Sequence, residues 1–266
     1  MMDKELKGKT SFMSITVDRR NEIVSLVNEK GRAKVEELSQ YFNVSAVTIR
    51  NDLNYLEERG LIHRAYGGAL TRKEVAFDPT LTEKARLHAE EKKRIGARAA
   101  TMVFDGDSIV LDSGTTTLEI AKAIRERKDL TVMTNAINIA TELAGLPDVT
   151  VMLTGGTLRE RSFSLVGPFA ESALKAFYFD KLFLGVDGFD IEFGLTTPNI
   201  LEAQLNRVMI EVSRETVVVV DSSKFGKRSL SLIAPLDRVQ SIITDSGVPE
   251  EYRKILEQKR IQTIVV

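Results

Sequence analysis

The apolar positions of this chain change their rhythm near residue 90. Before it they recur at helical spacing. Ile23, Leu26 and Val27 mark one stripe, Val35, Leu38 and Phe42 a second, and Ala46, Ile49, Leu53 and Leu56 a third. The spacing predicts a helix over 18–31 capped by Asp18, a short helix over 34–41, and an amphipathic helix within 44–60 opened by Ser45 as N-cap. Asn43 is the expected left-handed turn residue between the last two, and Gly60 the expected helix terminator. Residues 1–17 carry no periodicity and read as a flexible arm. Helix, short helix, tight turn, amphipathic helix is the order of a helix-turn-helix unit. Val47, Thr48, Arg50, Asn51, Asn54 and Tyr55 cover the outer face of its third helix. Such a face is either an ordinary solvated surface or one built to enter a DNA major groove.

The next ten residues favour the groove. Residues 61–70 read as two short extended segments around Gly67-Gly68, a hairpin signal that makes the unit winged. In such a wing Arg64 is a bidentate donor for phosphate, Tyr66 reaches the backbone, and Gly67-Gly68 allows main-chain N–H groups to approach. This first domain is expected over 18–72, followed by a linker over 73–89 that contains Phe77-Asp78-Pro79.

From residue 90 a helix over 90–103 leads into an alternation of apolar runs and helix-length stretches. The runs are 108–111, 130–133, 149–153, 182–186, 216–220, 241–244 and 262–265. Between them lie stretches such as 117–127, 138–144, 168–177, 200–214 and 249–259. The pattern predicts an α/β domain over 90–266 with a mainly parallel sheet covered on both faces.

Composition narrows the chemistry. The absence of cysteine excludes disulfides, a thiolate zinc site and a cysteine nucleophile, and His63 and His88 stand at no ligand spacing, so neither metal nor cofactor is expected. No apolar run approaches membrane-spanning length and no charged-then-apolar leader opens the chain, so a cytoplasmic protein with no membrane partner is expected. Net charge is -1 over the whole chain, with a slight positive excess before residue 78, which suits a local DNA-contacting face. Gly8-Lys9-Thr10 lacks the earlier glycine and the preceding strand of a phosphate-binding loop.

In parallel sheets ligands bind beyond the carboxyl ends of the strands. Asp112, Ser113, Gly114, Thr115, Thr116 and Thr117 follow the first apolar run and open a helix. Hydroxyls beside unpaired main-chain N–H groups form a cradle for a phosphate dianion. Asn135 follows the second run, Gly155, Gly156 and Arg159 the third, Asp187 and Gly188 the fourth, and Lys224 the fifth. Arg159 and Lys224 are the expected cations for a bound anion.

Several of these motifs together resemble the DeoR family of bacterial sugar-metabolism repressors. The carrying residues are Thr48-Ile49-Arg50, Asp52-Leu53, Gly60-Leu61-Ile62, Arg64 and Gly67-Gly68-Ala69, then D-S-G-T-T-T, T-N, G-G-x-x-R, L-G-V-D-G and D-S-S-K-F. The family commonly shows T-I-R-R-D-L and a wing histidine, where this chain has Asn51 and Tyr66. The T-I-R-N-D-L and R-A-Y-G-G-A-L spellings are most similar to the branch that represses N-acetylgalactosamine and galactosamine catabolism. The resemblance implies a winged helix-turn-helix followed by a sensor similar to ribose-5-phosphate isomerase. It also implies double-stranded operator DNA and a phosphorylated sugar effector as partners, with self-association into a dimer or tetramer. Two recognition helices would then meet half-sites about 34 Å apart or a multiple of that. Ser45, Thr48, Arg50, Asn51 and Asn54 are the expected DNA-facing helix residues.

A sugar-phosphate isomerase carrying a DNA-binding domain is the alternative, invited by Asp187-Gly188-Phe189-Asp190. Those isomerases follow this segment with K-G-G-G, whereas here the region reads Gly194-Leu195-Thr196-Thr197-Pro198-Asn199. Without the lysine the enediolate loses its cation, so catalysis is not expected.

Overall fold

The computed structural model describes residues 3–59, 61–65, 67–70 and 78–266, with side chains from Thr16 onward except at 63–65 and 70. The chain divides into two compact units, Met1–Phe77 and Asp78–Val266.

In the first unit α1 (Asp3–Lys30) is followed by β1 (Arg32–Lys34), α2 (Val35–Phe42), α3 (Ala46–Glu58), β2 (His63–Ala65) and β3 (Gly68–Leu70). The first helix starts at Asp3, so the expected arm is mostly helical and Asp18 lies inside the helix instead of capping it. Absence of an apolar stripe over 3–15 hid this. Asn43 is left-handed at φ 51° and Ser45 caps α3, its hydroxyl accepting from Thr48 N at 3.1 Å, both as expected. Ile23 and Val27, Val35 and Leu38, and Ile49, Leu53 and Leu56 bring the three helical stripes into one core with Ile62 and Ala69. Burying each large aliphatic side chain contributes about 1.5–3 kcal/mol, which makes the three-helix arrangement cooperative. β2 and β3 form the expected hairpin, and β1 adds a strand the sequence pattern did not show, giving the order β1-β3-β2. Gly60 and Tyr66 lie outside the described residues.

The second unit begins with α4 (Leu81–Arg86) and α5 (Ala89–Ala100). Thr80 caps α4, and its hydroxyl accepts from Glu83 N while the Glu83 carboxylate accepts from Thr80 N at 2.7 Å. Leu81 N donates to Arg161 O at 2.7 Å. Residues 78–89 therefore belong to the sensor unit, which corrects the expected linker of 73–89; residues 73–77 lie outside the described residues.

The remaining elements are β4 (Ser108–Leu111), α6 (Thr115–Ala123), β5 (Leu130–Thr134), α7 (Ile137–Leu143), β6 (Val149–Leu153), β7 (Thr157–Arg159), β8 (Ser164–Val166), α8 (Pro168–Lys175) and β9 (Phe179–Gly185). They continue with β10 (Gly188–Asp190), β11 (Gly194–Thr197), α9 (Ile200–Glu211), β12 (Ser213–Val219), β13 (Ser231–Ala234), β14 (Ser241–Thr244), α10 (Glu250–Gln258) and β15 (Gln262–Val265). The main sheet runs β15-β14-β12-β9-β4-β5-β6 and every pairing in it is parallel. Ile109, Leu111, Val132, Phe183, Val217 and Ile243 form its buried face against α5, α6 and α7. The chain builds β4, β5 and β6 toward one edge and then crosses to β9 and builds toward the other. The order of strands thus reverses between β4 and β9, the kind of crevice where open α/β sheets bind ligands.

Candidate functional site

The outer face of α3 is set by what its inner face buries. With Ile49, Leu53 and Leu56 in the core, Val47, Arg50, Asn51 and Asn54 fall on the opposite side and are exposed, with Thr48 half-buried beside them. Ser45 and Thr48 hydroxyls meet at 2.9 Å at the helix start. Asp52 is the exception on this helix: a carboxylate that is 1% exposed and accepts from Arg19 Nε and Arg20 Nε, each at 2.7 Å. Tyr55 lies between the Arg20 and Arg59 guanidinium groups, 3.7 and 3.6 Å from its ring centre. These contacts lock α3 against α1, a connection that no single-helix pattern could show.

In the wing Gly67 takes φ 75° and its carbonyl accepts from Val35 N at 2.7 Å. A Cβ on Gly68 would collide with the Ala33 carbonyl oxygen, so this glycine is required by packing between β3 and β1. The Arg64 backbone pairs with Ala69 in the hairpin, and the Arg64 side chain lies outside the description.

In the sensor unit, a cavity opens at the strand-order reversal. It is bounded by the carboxyl ends of β4, β9 and β12, by the N-terminus of α6, and by residues of α4 and α5. Asp112, Ser113, Gly114, Thr115, Thr116, Thr117, Asp187 and Lys224 all line it. Thr117 Oγ1 donates to Gly114 O at 3.1 Å, which holds the first turn of α6. That turn presents free main-chain N–H groups to the cavity, the arrangement that favours a phosphate oxygen.

Five other expected residues do not line the cavity. Arg159 is taken up by its own fold: it donates to Glu202 at 3.2 Å, to Ser162 Oγ at 2.8 Å and to Asp78. Asn135 is buried at the end of β5, where its main-chain carbonyl accepts from Leu165 N at 2.7 Å. Gly155 and Gly156 lie exposed before β7, and a Cβ on Gly156 would lie 2.6 Å from Val166 O. Gly188 is buried, and a Cβ there would lie 2.6 Å from Lys227 O. Close backbone packing explains Gly156 and Gly188, and the half-buried Asp78 with the buried Glu202 explains Arg159.

In their place the cavity gains Lys84, Lys92, Arg161, Glu202 and Asn206. Lys92 was legible in principle. It occupies the same helical stripe as Ile95, Gly96 and Ala99, an apolar face where a lysine is out of place without a task. Its ammonium donates to Lys84 O at 2.5 Å and Leu87 O at 2.6 Å, closing the end of α4. Burial lowers its pKa from the ordinary lysine value.

The carboxylates of the cavity differ sharply. Burial, reinforced by the charge of Glu202, pushes the Asp112 pKa up to about 7 against the hydrogen bonds it accepts from Asn206 Nδ2 at 2.9 Å and Gly185 N at 3.3 Å. Burial also opposes ionisation of Asp187, but Lys84 at 2.6 Å, Lys224 and the Thr197 hydroxyl outweigh it and hold its pKa below the ordinary value. Asp190, fully buried, accepts from Glu192 N and Phe193 N at 3.0 and 2.8 Å and pairs with Arg228. Neither carboxylate of the D-G-F-D segment is an unengaged base.

Among the described residues no group of metal-binding side chains occurs and no helix is long and apolar enough to cross a membrane.

Comparison with known proteins matches both units. The DeoR-like helix-turn-helix domain is found over residues 19–75 and the DeoR C terminal sensor domain over residues 87–246. The "Putative aga operon transcriptional repressor" of Escherichia coli O157:H7 is 41% identical over 94% of this chain and 94% of its own. The HTH-type transcriptional regulator GlpR of Haloferax volcanii is 38% identical over 94% of this chain and 98% of its own. A solved ribose 5-phosphate isomerase A from Methanocaldococcus jannaschii aligns over 52% of this chain and 55% of that one, with a TM-score of 0.39 and 16% identity. With a DNA-binding unit and a sensor unit both matched in order, the chain belongs to the DeoR family of transcriptional regulators.

Proposed function

We propose that this protein represses a carbohydrate-utilisation operon and leaves its operator when a phosphorylated sugar occupies the sensor cavity. Arg50, Asn51 and Thr48 read base edges in the major groove, Asn54 and Ser45 lie beside them, and Arg64 with the segment 66–68 tracks phosphates. The protein acts as a dimer or larger homo-oligomer, so that two copies of α3 meet successive half-sites.

One observation carries the sensor half of this reading: the hydroxyl-rich N-terminus of α6 opens into a cavity that Lys84, Lys92, Arg161 and Lys224 also line. Main-chain N–H groups and cations converging on one space suit a phosphate dianion, and Asp112, Glu202 and Asn206 at the same cavity suit the hydroxyls of a sugar. A coupling of about 1–3 kcal/mol between the two ligands changes operator affinity by about 5- to 150-fold, enough for induction. The T-I-R-N-D-L and R-A-Y-G-G-A-L spellings, similar to the branch that represses N-acetylgalactosamine and galactosamine catabolism, make phosphates of galactosamine and N-acetylgalactosamine the first effectors to try.

The test is a thermal-shift screen of sugar phosphates on the full chain, each beside its phosphate-free analogue, followed by gel-shift titration of operator DNA. A true effector raises the melting temperature, needs its phosphate, and weakens operator binding. Stabilisation by the phosphate-free sugar to the same degree would remove the phosphate from the proposal. Arg50→Ala binding operator DNA with unchanged affinity and preference would remove α3 as the reader.

A further inference from the structure

We infer that Asp187 occupies the phosphate position as an internal counter-anion, and that the effector's phosphoryl group takes Lys84 from it on binding. This inference rests on the phosphate reading above and assigns it a ligand, Lys84, from a segment that sequence places in a linker.

Lys84 Nζ stands 2.6 Å from Asp187 Oδ1, while Thr197 Oγ1 donates to Asp187 Oδ2 at 3.1 Å. Lys224 lines the same space. A carboxylate held by a hydroxyl and an ammonium, with a second ammonium beside it, has the partners that a phosphate oxygen would choose. A dianion arriving at α6 finds Lys84 already neutralised. Binding is therefore an exchange of anions around Lys84 and not an addition to a vacant charge.

Lys84 can make that exchange because its backbone and its side chain are held separately. The buried Lys92 ammonium fixes Lys84 O and Leu87 O, so the end of α4 stays in place. The Lys84 and Asp187 side chains keep 20% and 16% of their surface in contact with solvent, which leaves the pair separable. Arg159 differs: it is divided between Asp78 and Glu202, and its release would leave the buried Glu202 carboxylate without its cation. The segment that carries Lys84 is also the first of the sensor unit in chain order, directly after residue 77. Occupancy of the cavity is thereby written into the stretch of chain that follows the DNA-binding unit.

The test uses the full-length protein and inorganic phosphate, titrated calorimetrically at constant ionic strength. Phosphate alone reports on the cations, whereas a sugar would also sample Asp187 as a hydroxyl acceptor. Asp187→Asn keeps the shape and removes the competing charge. It should bind phosphate about 10- to 150-fold more tightly, the change expected when one charge-assisted hydrogen bond becomes available. Lys84→Met should weaken phosphate binding, and the gain from Asp187→Asn should shrink in the Lys84→Met background, because Asp187 competes chiefly for Lys84 while also facing Lys224. Asp187→Ser carries the same expectation should Asp187→Asn fail to fold. Unchanged or weaker phosphate binding in the Asp187 variants, with the wild type binding phosphate and Thr115→Ala weakening it, overturns the exchange and leaves the cradle standing. Absence of phosphate binding in wild type and Asp187→Asn alike overturns both.

Discussion

Asn206 donates its side-chain amide to the Asp112 carboxylate across 2.9 Å, joining α9 to the end of β4 inside the sensor. The bond favours the ionised carboxylate, yet burial dominates and the group titrates near 7 against 3.8 for an ordinary aspartate. Between those values the folded chain holds a proton that the unfolded chain has lost. Stability attributable to Asp112 is therefore present below about pH 4 and falls as pH rises toward 7, by up to about 4 kcal/mol in all. Asp112→Asn cannot titrate and escapes that loss. Denaturation of variant and wild type at pH 4 and pH 8 should show the variant gaining relative stability at the higher pH. A difference that does not change with pH would mean Asp112 is ionised throughout.

Neighbouring glycines in the wing should respond unequally to alanine. Gly67 has φ 75° with open space around it, so Gly67→Ala costs about 1–2 kcal/mol for the left-handed conformation alone. At Gly68 the new methyl collides with the Ala33 carbonyl and forces β3 away from β1. Gly68→Ala should therefore destabilise the first unit more than Gly67→Ala does, measured as urea midpoints on the full chain. Equal losses would place the cost in the hairpin turn and not between the strands.

The wing shows how far pattern alone reaches. Gly67-Gly68 announced a hairpin, but the need for Gly68 comes from Ala33, 35 residues earlier in the chain. The same division runs through the sensor. Apolar runs of four or more residues gave every strand of the main sheet, most plainly the inner strands, where burial on both faces leaves a continuous signal, while the edge strands β6 and β15 are only partly buried. The three-residue strands β7, β8 and β10 are too short for any period, so the hairpin over residues 157–166 and the small sheet of β10, β11 and β13 were not foreseen. Strand-end motifs led to Asp112 through Thr117 at the cavity because the crevice follows strand topology. They over-reached at Asn135, Gly155 and Gly156, since β5 and β6 lie on the far side of β4 from the reversal. Lys84 and Arg161 carry no pattern at all; folding alone brings them to the cavity.

Asp52 gives the DNA-binding unit its one deeply buried acid among the described residues, and two arginines of α1 depend on it. Asp52→Asn keeps the volume but leaves Arg19 and Arg20 without a counter-charge. Their side chains are 12% and 21% exposed, so water can recover part of the loss. The expected cost is about 2–4 kcal/mol, below that of an entirely buried pair. Operator binding should fall with it, because the same contact fixes α3 against α1. A variant that keeps its urea midpoint but loses operator binding would make Asp52 a contributor to the DNA interface itself.

Arg159 separates a structural cation from a ligand-binding one. Its guanidinium spans Asp78 and Glu202, and the Glu202 carboxylate also accepts from Ser164 Oγ at 2.9 Å. Arg159→Met leaves the buried Glu202 without its cation, while Asp78 keeps Arg161 at 3.7 Å, so the expected cost is about 2–4 kcal/mol, below that of an entirely buried pair. Arg159→Lys, which keeps the charge but not the fork, should fall between that variant and wild type. Adding Glu202→Gln to Arg159→Met removes one stranded charge and should recover part of the stability. In that double variant inorganic phosphate should bind at least as tightly as in wild type, since no cation lining the cavity has been removed and one carboxylate lining it has been neutralised. A double variant that regains stability yet binds phosphate at least tenfold more weakly, a loss of about 1.4 kcal/mol or more, would return Arg159 to the anion-binding role its position after β6 first suggested.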